Sequence, residues 1–78
     1  MYGYIVKDAR GNNLTREKFW YNHEKSEGEE PYVFGISEVE EIREHCFSWK
    51  TKPAFLVVAK WTKENGTEVL GVEIPFNG

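Results

Sequence analysis

His45 and Cys46 stand side by side, with Glu41 four residues upstream and His23 in an earlier polar stretch. These residue types ligate metals or build Cys–His nucleophiles. Adjacent residues on a helix point about 100° apart, so His45 and Cys46 do not readily share an ion or form a catalytic pair. Glu41 and His45 share a face, but two ligands do not make a site, and neither CxxC nor HExxH occurs. Cys46 falls within an apolar stripe, where a thiol is inert packing. Carboxylates used for acid–base work need a cleft and separated pKa values. The glutamates here fall on a polar stretch and on an outward helix face. Gly11-Asn12-Asn13 suits a turn rather than a phosphate loop. No enzyme, catalytic residue, metal or cofactor is expected.

Two constellations remain. Lys7, Arg10, Arg16 and Lys18 with Tyr2, Tyr4 and Trp20 place cations beside aromatics, the chemistry of nucleic-acid binding. Asp8 and Glu17 reduce that local charge to +2, and a solvated hairpin explains the same residues. The second is acidic. Residues 24 to 44 hold eight glutamates against one lysine and one arginine, whereas the remainder holds five acids against eight bases. Glu24, Glu27, Glu29, Glu30, Glu40, Glu41 and Glu44 would form one negative surface if residues 22 to 31 lay beside the helix. Such a surface steers a basic partner. Trp20, in Phe19-Trp20-Tyr21 just before the acids, would serve as an aromatic anchor. The competing explanation is solubility and helix-start electrostatics.

The elements that must position these residues are legible in outline. Asn65-Gly66 between two apolar runs predicts a hairpin with a two-residue loop. That register sets Trp61 opposite Leu70, Ala59 opposite Val72, Val57 opposite Ile74 and Phe55 opposite Phe76, all on one face. Ser37-Glu38-Val39-Glu40 reads as a capping box. Val39, Ile42, Cys46 and Trp49 then fall within about 80° of one another on a helix. The helix stripe would pack on the Phe55, Val57, Trp61, Leu70, Val72 and Ile74 face. Tyr4 to Lys7 is strand-like, and Asp8-Ala9-Arg10-Gly11 suits a type I turn closed by a left-handed glycine. Residues 14 to 21 are ambiguous between a returning strand, which the pattern favours, and a short helix. Residues 22 to 31 should be an exposed loop, and Pro31-Tyr32-Val33-Phe34 a short strand. The sum is a single α+β domain over residues 1–78, β-β-(β)-α-β-β. A mostly antiparallel sheet of four to five strands carries one helix on one face.

The totals narrow the function further. A chain of 78 residues buries only roughly 60% of its unfolded surface, so each of its twelve aromatics matters. A formal net charge of −3 argues against general phosphate-backbone binding. One cysteine allows no internal disulfide, no apolar run is long enough to span a bilayer, and the first residues do not read as a signal peptide. A cytoplasmic location is expected.

Tyr4-Ile5-Val6-Lys7-Asp8 through Gly11-Asn12, then Tyr32-Val33-Phe34-Gly35-Ile36-Ser37-Glu38-Val39-Glu40-Glu41, then a strand pair, resembles the layout of small phage- and prophage-encoded α+β proteins. Inhibitors of host defence, anti-CRISPR proteins among them, share that layout. The resemblance covers most of the chain but carries no diagnostic motif. It implies a stoichiometric binder rather than a catalyst, blocking a basic, nucleic-acid-binding site on a host protein or nucleoprotein. The alternatives are a nucleic-acid binder using the first hairpin, and a homodimer paired through a strand edge or a Leu56/Val58/Val69 face.

Overall fold

The computed structural model describes residues 1–21 and 31–76. The strands are β1 (Tyr2–Lys7), β2 (Asn13–Leu14), β3 (Trp20–Tyr21), β4 (Phe55–Thr62) and β5 (Gly66–Pro75). One helix, α1 (Ile36–His45), runs into a 3-10 turn over Cys46–Ser48. The strands form a single antiparallel sheet in the order β3-β2-β1-β4-β5. This is the α+β architecture that the pattern predicts.

β1 is the central strand, and burial on both faces follows from that position. Val6 and Leu56 join Leu14, Phe34, Phe76 and the helix residues Val39, Ile42 and Cys46 in the main core. Ile5, Val57 and Ala59 point the other way and pack with Val33 in a second, smaller cluster. Consecutive residues of β1, Ile5 and Val6, are therefore both buried.

The first turn forms as expected. Asp8 is buried, and its carboxylate accepts from the Arg10 and Asn12 amides at 2.9 and 2.8 Å. Gly11 takes φ 85 and donates its amide to the Asp8 carbonyl. Residues 14 to 21 are neither one strand nor a helix. β2 and β3 are two-residue strands joined by a turn, because Thr15 binds Phe19 twice. The Thr15 amide donates to the Phe19 carbonyl at 2.7 Å, and the Thr15 hydroxyl accepts the Phe19 amide at 3.1 Å.

The hairpin expected from Asn65-Gly66 is corrected. The β4–β5 loop has three residues, not two: Thr62 pairs with Gly66, Trp61 with Thr67 and Lys60 with Glu68. Gly66, the first residue of β5, takes φ 69 while Asn65 does not take positive φ, so the two left-handed residues of a type I′ turn are not there. Farther along, Val58 faces a bulge spanning Leu70 to Val72, after which Val57 pairs with Glu73 and Leu56 with Ile74. Both halves are an odd number of residues away from the expected register, so β5 turns its other side to each face. Consequently α1 packs on the Leu56 side of the sheet, not on the side of Phe55, Val57 and Trp61. Phe55 and Trp61 remain exposed.

The helix also starts earlier than the Ser37 box predicts. Gly35 is the N-cap, Ser37 is exposed, and the Glu38 carboxylate reaches back to the Gly35 amide at 3.3 Å. Instead of a strand over residues 31 to 34, Phe34 forms one bridge to Tyr4, exchanging two backbone hydrogen bonds of 2.8 Å. The core stripe of Val39, Ile42 and Cys46 forms as read from the sequence, with Trp49 half-buried against it. Among the described residues no helix is long and apolar enough to cross a membrane.

Candidate functional site

Burial of Val39 and Ile42 sets the roll of α1, and the roll decides which side faces outward. Ile36, Glu40 and Glu44 follow one another at four-residue spacing, all exposed, with Glu41 exposed beside them. Phe47, one turn on in the 3-10 segment, continues the stripe. Ile36 is 61% and Phe47 74% exposed, so two large apolar side chains bracket the acids. The sequence pattern singles out neither, because Ile36 and Phe47 lie outside the apolar stripe and are not charged.

The other charges on α1 have internal work. The Arg43 guanidinium donates to the Phe76 carbonyl and lies 4.5 Å from the Phe76 ring centre. Glu38 caps Gly35 and accepts from the Tyr32 hydroxyl at 3.3 Å. Glu40, Glu41 and Glu44 are thus the helix glutamates left on the outside. Glu24, Glu27, Glu29 and Glu30 lie outside the described residues.

Tyr32 gives this corner a titration signature. Burial of its hydroxyl raises its pKa above 10.0, the adjacent Glu38 carboxylate adds to the rise, and Arg16 opposes it. The folded state therefore holds the phenol proton to higher pH than the unfolded chain does. The stability tied to it is complete below the ordinary tyrosine pKa and is lost as pH rises through the folded value. Glu38→Gln should move the Tyr32 titration midpoint, followed by NMR of its ring protons, back towards 10.0.

Trp20 has partners of its own. It is half-buried against the main core, and its indole N–H donates to the Thr51 carbonyl at 3.0 Å. With Trp49, Lys18, Lys50 and Thr51 it lines a shallow cleft of about 340 Å³. The basic and aromatic residues of the first hairpin are dispersed. Tyr4 packs on the core, Tyr2 sits 5.7 Å below the Lys60 ammonium, and Arg10 belongs to the Asp8 turn.

A larger groove of about 680 Å³ is lined by Phe19, Tyr21, Tyr32, Val33 and Trp61, with Arg16 and Glu17 as the charged side chains among the described residues. Tyr21 and Pro31, which also line it, adjoin the undescribed residues. Cys46 is buried, with its thiol against the Arg43 carbonyl, and His45 is exposed. Among the described residues no three of His, Cys, Asp and Glu come together.

β5 is an edge strand with Val69, Leu70, Val72 and Ile74 exposed. Its bulge, its exposed Glu68 and Glu73, and Pro75 are features that discourage edge pairing. Leu56 is buried in the main core, and Val69 is exposed opposite Ala59 on the other side of the sheet, so Leu56, Val58 and Val69 do not share one face. Compared with known proteins, the chain matches no family, no curated protein and no solved structure.

Proposed function

We propose that this chain is a non-enzymatic protein-binding module, an inhibitor that docks the outer side of α1 on a basic surface of its partner. The observation that carries the reading is the exposed set Glu40, Glu41 and Glu44 bracketed by exposed Ile36 and Phe47. Acids steer the encounter with a basic site. Apolar side chains at either end give the contact area that charge alone does not supply. A rigid helix fixed to the core by Val39, Ile42 and Cys46 presents both without an ordering cost. A basic site of this kind is one that otherwise holds nucleic acid. The resemblance to phage-encoded inhibitors of host defence points the same way, to a CRISPR effector or similar complex in the host cytoplasm.

Reversing Glu40, Glu41 and Glu44 to lysine should leave the fold intact and lower the thermal midpoint by no more than roughly 12 °C, because exposed substitutions cost about 0.5 kcal/mol or less each. The same variant should lose a partner that the native chain retains from host lysate at low salt and releases at high salt. Equal retention by the variant, or no partner at either salt, overturns the reading.

A further inference from the structure

We propose that the cleft between Trp20 and Trp49 binds a single-stranded nucleic acid, a function separate from the acidic helix. Residues distant in sequence meet here. The β2–β3 turn brings Lys18, β3 brings Trp20, and the segment after the 3-10 turn brings Trp49, Lys50 and Thr51. The bond from the Trp20 indole to the Thr51 carbonyl latches the two sides together. Lys52 is exposed beside them and donates to the Trp49 carbonyl at 3.3 Å. Lys18 is held by the Arg16 carbonyl at 3.0 Å, in a backbone conformation with φ 72 that non-glycine residues rarely adopt.

Charge selects an anionic occupant. Lys18 and Lys50 line the cleft, Lys52 adjoins it through Trp49, and among the described residues no acid lines it. This occurs in a chain whose net charge is −3. The two indoles favour a planar aromatic group over an acidic side chain, because base–indole stacking contributes about 1–3 kcal/mol per base. Size favours a splayed base over a duplex: a shallow cleft of about 340 Å³ admits a nucleobase but not a helix. The three lysines would then meet the phosphates on either side of the stacked base.

The test uses the Trp61→Phe protein, which keeps Trp20 and Trp49 as its emitters, with oligothymidylate as the probe. Binding should quench the tryptophan emission. Log affinity should fall against log salt with a slope of about −2, the value for three phosphates on a single strand. Lys18→Glu/Lys50→Glu/Lys52→Glu should weaken binding at least about tenfold and flatten that slope. Glu40→Lys/Glu41→Lys/Glu44→Lys should still quench, which separates this site from the helix face. Absence of quenching at low salt, binding that survives the lysine reversals, or equal binding of polyglutamate or duplex DNA would each overturn the proposal.

Discussion

Phe76→Ala should come close to unfolding the protein. Phe76 is the largest side chain that the end of the chain contributes to the main core, and it is 1% exposed. Its ring packs in the cluster of Val6, Leu14, Phe34, Val39, Ile42, Cys46 and Leu56, so it touches the sheet side and the helix side of the same core. Its amide donates to the Ala54 carbonyl at 3.0 Å, and Arg43 holds both its carbonyl and its ring face. Truncating a buried phenylalanine costs about 3–5 kcal/mol. A chain of this length has a total margin of about 4–12 kcal/mol. At about 4–8 °C per kcal/mol the thermal midpoint should fall by roughly 12–40 °C, read by far-ultraviolet circular dichroism. Phe76→Leu keeps most of the volume and should lose much less. A drop of only a few degrees for the alanine variant would mean that the chain end is not anchored as described. It would also reopen the register of β5, because the expected two-residue loop sets Phe76 opposite Phe55 on the other face.

That register shows where local signals run out. Asn65-Gly66 announces a turn, and a turn is there. Whether both residues or glycine alone take positive φ is decided by how the two strands settle on the core. The answer changes the side of the sheet to which every β5 residue belongs. The helix stripe was more secure because Val39, Ile42 and Cys46 repeat with one period and need no partner to be recognised. Its cap was not: Ser37 is a better cap residue by type, but the Tyr4–Phe34 bridge brings Gly35 to the helix entrance and Glu38 to its amide. At the sites, the outward acids Glu40, Glu41 and Glu44 were legible from the same helical period. The Trp20–Trp49 cleft was not. Its latch ends on the backbone carbonyl of Thr51, 31 residues from Trp20, and a carbonyl leaves no mark in residue type.

The Tyr4–Phe34 bridge also governs the second large effect, that of Gly3→Ala. A strand glycine normally gains from this change: alanine restricts the unfolded chain and stabilises by about 0.4–1 kcal/mol where the backbone permits it. Gly3 has no positive φ, so the backbone does permit it. Space does not. A methyl carbon on Gly3 would fall on the Phe34 carbonyl oxygen and 2.7 Å from Val33 Cγ1. Neither neighbour is the free end of a long side chain. Phe34 is fully buried and Val33 is 4% exposed, on opposite sides of the sheet. Relief requires residues 33 and 34 to move off β1, which breaks the two 2.8 Å hydrogen bonds between Tyr4 and Phe34. Overpacking costs about 1–3 kcal/mol, and each lost hydrogen bond adds about 0.5–1.5 kcal/mol. The net should be a destabilisation of about 2–4 kcal/mol and a midpoint lower by roughly 8–32 °C. Amide exchange should separate this from a general weakening. The Tyr4 and Phe34 amides should lose protection first, while amides between β1 and β4 exchange only on global unfolding. A midpoint unchanged or raised would show that the segment yields without cost. Because Gly35 follows Phe34 directly and caps α1, the displaced segment would shift the start of the helix and loosen the seat of Ile36, Glu40 and Glu44. Partner capture should therefore weaken in Gly3→Ala even at temperatures where the sheet is intact, although Gly3 itself is buried and cannot touch a partner.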